Sequence, residues 1–289
     1  MSRGRKKKRK RASEHKRKID ATTENTGSDD GYTSPDATDR RSFDHESHLV
    51  LNLKYHPAVI DRKTRLIHDR MLDRSEYLDA GNFTKINISD LKMMFELYDE
   101  LFFKDFFKRN FPDQVYFNLS TKMTRSGGKT EVFGDPKFYV IKLSSQLLFQ
   151  SFDDEDREIV VNGIICHDRL EAAMRIFEHE LIHLLEFTVL GNSSCSRPMF
   201  ISLCIRIFGH TDVKHQLVTG YEIANNRYGL NVGEQVSFEF EGEIHQGIIS
   251  RITKRATVMV ENPEGQFRDL SGKSYSKYYI PLDHLKPLS

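Results

Sequence analysis

The chain has 289 residues, 38% of them hydrophobic, with 20 Phe and 11 Tyr, which suffices for one good-sized domain plus a smaller one and excludes a chain without a core. No apolar run approaches the ~20 residues of a membrane span, and the basic N-terminus has no apolar segment behind it, so neither a transmembrane helix, a membrane partner nor a secretory leader is expected; the setting this predicts is intracellular, cytoplasmic or, in a eukaryotic host, nuclear. Cys166, Cys195 and Cys204 form no C-x-x-C pair, which excludes a four-cysteine zinc ribbon and gives no disulfide framework.

The net charge of +1 hides an asymmetry. Residues 1–20 hold 11 Lys/Arg against Glu14 and Asp20, a net of +9 that leaves −8 for the remainder. Such a segment cannot pack, and residues 21–48, rich in Ser, Thr, Asp and Gly, add almost no aliphatics, so 1–48 is read as a disordered basic, then polar, tail. The basic arm suits DNA or RNA, or a nuclear import signal; a purely solubilising tail has the same composition. An N-terminal extension over 49–88 contains a predicted helix over 61–77 whose heavy charge marks a surface element, with His68 facing solvent.

From Ser89, taken as the cap, a helix is predicted through D-L-K-M-M-F-E-L-Y-D-E-L-F-F-K-D-F-F-K-R-N-F, with Leu91, Met94, Phe95, Tyr98, Leu101, Phe102 and Phe106 as its core stripe and Pro112 closing it. Three alternating runs, 115–120, 129–133 and 138–144, then predict a small antiparallel sheet. An acidic stretch, Asp153 to Asp156, leads to the next helix.

That helix carries the most specific chemistry in the chain. From Asp168, a candidate N-cap, the residues Leu170, Met174, Phe177, Leu181, Leu184 and Leu185 recur at helical spacing with no Gly or Pro between them. Within the stripe lies His179-Glu180-Leu181-Ile182-His183, an H-E-x-x-H motif. Residues four apart share a helix face, so His179 and His183 can hold one Zn²⁺ while Glu180 stands beside it as general base. A buried amphipathic helix carrying two histidines gives the same pattern without metal. A loop, G-N-S-S-C-S-R-P, and an apolar helical run ending at Gly209 follow, with Cys204 assigned to the core. After Gly229 four or five short strands predict a separate SH3-like β-barrel over 229–289. Its interleaved Arg251, Lys254, Arg255, Lys273, Lys277, Tyr275, Tyr278 and Tyr279 suit either nucleic-acid contact or a charged strand surface over an aromatic core.

The order helix, short sheet, H-E-x-x-H helix, loop, second helix, with the phrases L-Y-D-E-L-F-F, I-K-L-S and H-E-L-I-H-L-L, resembles the SprT-like (SprT/Spartan) zinc metallopeptidases over roughly residues 89–212. The resemblance implies an α+β chain with a zincin-like domain over 89–228 that hydrolyses peptide bonds with zinc; in Spartan such a domain cuts proteins crosslinked to DNA. The family's third zinc ligand is a His in a loop phrase like H-G-x-x-F. Counting back from Phe200 puts Ser196 there, and a shift of one residue puts Cys195 there. Thiolate is a common zinc ligand and neutral Ser a poor one, so Cys195 is the first choice, with His210 and His215 as rivals and Glu186 and Glu222 as more distant candidates. The alternative to a peptidase is a catalytically inactive SprT-like scaffold associated with nucleic acid.

Overall fold

The computed structural model describes residues 37–152 and 157–288; the reading of the basic arm over 1–36 lies outside them. Ala37–Leu51 forms a helix, α1, which corrects the expectation of no packed structure before residue 49. Phe43 stacks 6.3 Å from Phe106 and meets Phe111 edge-on at 5.9 Å, and Val50 is buried. Seven residues apart, Phe43 and Val50 share one side of an otherwise charged helix, too sparse a stripe to read against the polar composition.

Pro57–Arg74 is α2, and its buried Ile60, Thr64, Ile67 and Met71 follow the helical repeat. Ile67, Met71 and Phe83 belong to the same core cluster as Leu91, Phe177 and Val218, so the predicted extension over 49–88 packs as part of the first domain. Helix α3, Ile88–Tyr98, is capped by Asn87 rather than Ser89: the Ser89 N–H donates to Asn87, and the Asn87 N–H donates to Asp90 at 2.7 Å, closing a capping box. The single long helix expected there is interrupted. Asp99–Phe103 forms a π-helical turn, Lys104 and Asp105 turn left-handed at φ 56° and 58°, and α4, Phe106–Asn110, restarts the helix. The buried Asp99 carboxylate accepts from the N–H groups of Phe107 at 3.0 Å and Lys108 at 2.8 Å. A side chain competing with backbone carbonyls for those donors is the physical reason for the break.

The next three strands, β1 (Val115–Ser120), β2 (Gly128–Phe133) and β3 (Phe138–Ser144), are ordered β1-β3-β2. The sheet is mixed rather than antiparallel, because β1 runs parallel to β3 while β2 and β3 form a hairpin. Alternation of side chains identifies a strand and carries no information about its direction. After the short α5 (Ser145–Gln150) and the pair β4 (Ile159–Val161) and β5 (Ile164–Cys166), α6 spans Arg169–Leu190 and packs most closely on β2. Helix α7, Pro198–Phe208, begins with Pro and ends at the left-handed Gly209, φ 71°. Phe208 sits among Tyr98, Phe102 and Phe103, with ring centroids 5.0 to 6.0 Å away. This aromatic knot joins the end of α7 to α3 and the π turn.

A second core gathers Ala224 and Leu230 with Val236, Phe238, Ile249 and Val258. Ala224 lies on α8 (Gly220–Tyr228), so this core starts before the boundary predicted at 229. Its strands, β6 (Gln235–Phe240), β7 (Glu243–Ile252), β8 (Ala256–Glu261), β9 (Phe267–Arg268), β10 (Ser274–Ile280) and β11 (Lys286–Pro287), form one sheet ordered β11-β6-β7-β8-β10-β9. Edge strands β11 and β9, two residues each, do not pair with one another. The barrel expected over 229–289 is therefore not closed among the described residues, and the chain is mixed α+β with small sheets. No described helix is long and apolar enough to cross a membrane.

Candidate metal centre

The start of α6 is fixed from two sides. Asp168 accepts from the Glu171 N–H at 2.8 Å as N-cap, and its second oxygen lies 3.2 Å from His68 Nε2 on α2. His68 is therefore a half-buried partner of the cap, not the solvent-facing residue the sequence suggested. The next turns bury Leu170, Met174, Phe177, Leu181, Leu184 and Leu185 completely. With that stripe in the core, His179, Glu180 and His183 face a cleft of about 370 Å³ between α6 and β2.

Across this cleft the predicted motif residues converge. His179 Nε2 and His183 Nε2 lie 3.2 Å apart, and with Cys195 Sγ they form a group whose ligand atoms are all within 4.8 Å of one another. A tetrahedral cation with metal–nitrogen bonds of 2.0–2.1 Å would hold two nitrogens about 3.3–3.4 Å apart, so the imidazole pair is spaced for one ion and the group could hold a metal. Burial drives both rings toward the neutral, metal-binding form, His179 down to about 3 and His183 down to about 4. The Phe200 ring walls the site, its centroid 4.9 Å from that of His179 and 4.4 Å from that of His183.

Glu180 is 3% exposed, and burial pushes its carboxyl up to about 8, against hydrogen bonds from Thr130 that pull the other way. The Thr130 hydroxyl donates to Glu180 Oε2 at 2.7 Å. Strand β2 passes so close that a Cβ added to Gly128 would lie 2.6 Å from Glu180 Oε1 and 2.8 Å from Ile176 Cγ2. Gly128→Ala is accordingly expected to destabilise the fold by about 1–3 kcal/mol, as overpacking does. The measurement is the urea midpoint, which should fall with no change in the slope.

The other candidate ligands lie outside the converging group. Ser196 is exposed and bonds Ser194 at 2.9 Å. His210 is buried behind α6, its Nε2 2.7 Å from Glu178. His215 lines the cleft, but its Nε2 lies 2.9 Å from the Gly127 nitrogen and 3.1 Å from the Arg125 carbonyl oxygen, and it is not in the converging group. Glu222 is paired with Arg157 at 2.6 Å. Glu186, 1% exposed, accepts from the Ser193 hydroxyl at 2.5 Å, and Ser193 Oγ lies 2.7 Å from His183 Nδ1. Sequence reasoning missed Thr130, Ser193 and Gly128. Only tertiary packing brings β2 against the helix, and a short polar or glycine residue on a strand does not announce it.

Of the interleaved residues of the second domain, Arg251, Lys254, Arg255 and Tyr279 are exposed, whereas others contact neighbours within the domain. Lys277 lies over the Phe267 ring at 3.7 Å, Lys273 pairs with Glu261 at 3.0 Å, and Tyr278 packs among Phe238, Phe240 and His245. Comparison of the chain with protein-family models, with curated proteins and with solved structures finds no match in any of the three.

Proposed function

We propose that the chain is a zinc-dependent metallopeptidase of the SprT-like kind, hydrolysing peptide bonds in proteins held near nucleic acid. One observation carries the reading: Cys195 sits with His179 and His183 where a third ligand is needed, with a buried carboxylate, Glu180, beside them in an open cleft. Two imidazoles and a thiolate are donors that zinc accepts, and three protein ligands leave a coordination position for chemistry. Bound there, zinc would supply a Lewis acid that activates water and polarises the scissile carbonyl. Glu180 takes the proton from the attacking water and returns it to the leaving amine. Thr130 holds the Glu180 carboxylate in place, and Phe200 keeps bulk water from one side of the imidazoles. The basic residues 1–20 supply the attraction to DNA or RNA.

The test pairs metal analysis with cleavage. Stoichiometric zinc, lost in His179→Ala, together with chelator-sensitive cleavage of a protein substrate that DNA stimulates, is the expected result. A metal-free, inert protein that still binds DNA would overturn it in favour of the inactive scaffold. Cys195→Ala is expected to weaken zinc binding by at least about 100-fold, since losing even an outer-shell partner of a ligand costs about 10–100-fold. Competition with a chromogenic chelator measures this. Unchanged affinity would remove Cys195 from the ligand set.

A further inference from the structure

We infer that Ser193 and Glu186 are positioning residues that hold His183 with its Nε2 lone pair turned toward the metal; this rests on the reading of His179, His183 and Cys195 as a metal centre. A serine hydroxyl has one proton to give and two lone pairs to offer. Ser193 Oγ stands between two groups, 2.5 Å from Glu186 Oε2 and 2.7 Å from His183 Nδ1. A carboxylate can only accept, so the Ser193 proton goes to Glu186. The bond to the ring must then run the other way, with His183 Nδ1–H donating to Ser193 Oγ. That leaves Nε2 unprotonated on the side where His179 Nε2 lies 3.2 Å away. In metal sites a ligating imidazole commonly donates its second N–H to a carboxylate or carbonyl, which fixes the tautomer. Here a serine relays the carboxylate.

The relay is specific to one of the two rings. His179 Nδ1 is buried and has no hydrogen-bond partner, so its tautomer is set only through its Nε2, which faces the His183 lone pair at 3.2 Å. Glu186 lies one turn beyond His183 on α6 and is 1% exposed, while Ser193 lies two residues before Cys195 on the following loop. The same hydrogen bond that sets the His183 ring therefore also ties the loop bearing the thiol to the helix bearing the imidazoles. The sequence gives no sign of this, since Ser193 is one of three serines in N-S-S-C-S and Glu186 reads there as a distant candidate ligand rather than a partner of Ser193.

Nitrogen-15 NMR of the imidazoles in the metal-free full chain tests the inference without any substitution: His183 is expected as the Nδ1–H tautomer. Ser193→Ala should mix the tautomers of His183 and weaken binding of zinc alone by about 10–100-fold. Ser193→Thr, which keeps the hydroxyl, should restore both readouts to within about 3-fold of the parent. A His183 found as the Nε2–H tautomer in the parent protein overturns the inference, as does a Ser193→Ala protein with unaltered His183 signals. If the parent binds no zinc, the metallopeptidase reading fails, yet the tautomer measurement still decides the relay.

Discussion

Glu180→Gln is expected to lower kcat/KM by about 10²–10⁴-fold, the usual contribution of a general base, while the zinc content stays at the parent level. The carboxylate is 3% exposed and its Oε2 accepts the Thr130 hydroxyl at 2.7 Å. A glutamine of the same shape can still accept that bond through its amide oxygen, so the packing beneath β2 survives. What it cannot do is take a proton. The loss corresponds to about 3–5 kcal/mol of barrier at 1.36 kcal/mol per decade. A second readout separates this role from simple damage. Burial holds the Glu180 carboxyl at about 8 without metal, so it carries its proton at pH 7, and a divalent cation nearby favours the charged form. Zinc binding at pH 7 should therefore release close to one proton fewer from Glu180→Gln than from the parent, measured by calorimetry in buffers of different ionisation enthalpy. Full activity in Glu180→Gln would move the base elsewhere in the cleft, where His215 is the other titratable ring.

How much of this centre was legible in the sequence depends on whether the information is local. Helix α6 was read with its cap at Asp168, its stripe and its motif, because a 22-residue element with 3.6-residue periodicity states its own orientation. Cys195 was reached from ligand chemistry and a one-residue shift of the loop phrase that the family resemblance implies, whose spacing from Phe200 falls on Ser196, and the structure brings it to the two histidines. The parallel pairing of β1 with β3 was not legible, since strand direction depends on where the connection crosses. Nor was the break at Lys104 and Asp105, where one buried carboxylate, Asp99, overrides good helix formers. Thr130 and Ser193 act on α6 from other elements, and a short polar side chain has no pattern that announces its partner. Helix α1 was hidden by composition: Arg40, Arg41, Asp44, His45 and Glu46 surround the one ring, Phe43, that docks it.

Glu178→Leu is expected to cause the largest loss of stability of any single substitution discussed for this chain, about 3–5 kcal/mol, the cost of removing one partner from a buried ionic group. Glu178 is fully buried and accepts from Tyr98 Oη at 2.8 Å and Arg175 at 3.0 and 3.1 Å, with His210 Nε2 at 2.7 Å. Truncation strands a guanidinium, a phenol and an imidazole, three donors from α6, α3 and the segment after α7. Replacing Arg175 by Met in the same chain should recover part of the loss, because the uncompensated cation goes with it. The pH dependence has a definite sign. Burial raises the Glu178 carboxyl, but Arg175 and the hydrogen bonds from His210 and Tyr98 outweigh it and hold the group below its ordinary 4.5. A carboxyl depressed in the folded state stabilises fully above its unfolded value and loses that contribution as pH falls through the folded one. Urea midpoints of the parent should therefore drop below about pH 4.5, and those of Glu178→Leu should drop less over the same range. A loss under about 1 kcal/mol at pH 7 would mean that the carboxylate is hydrated in solution. Because Glu178 precedes His179, the network also sets the phase of α6: with Glu178 locked inward, the next residue must face the cleft, and His183, four further on, follows it.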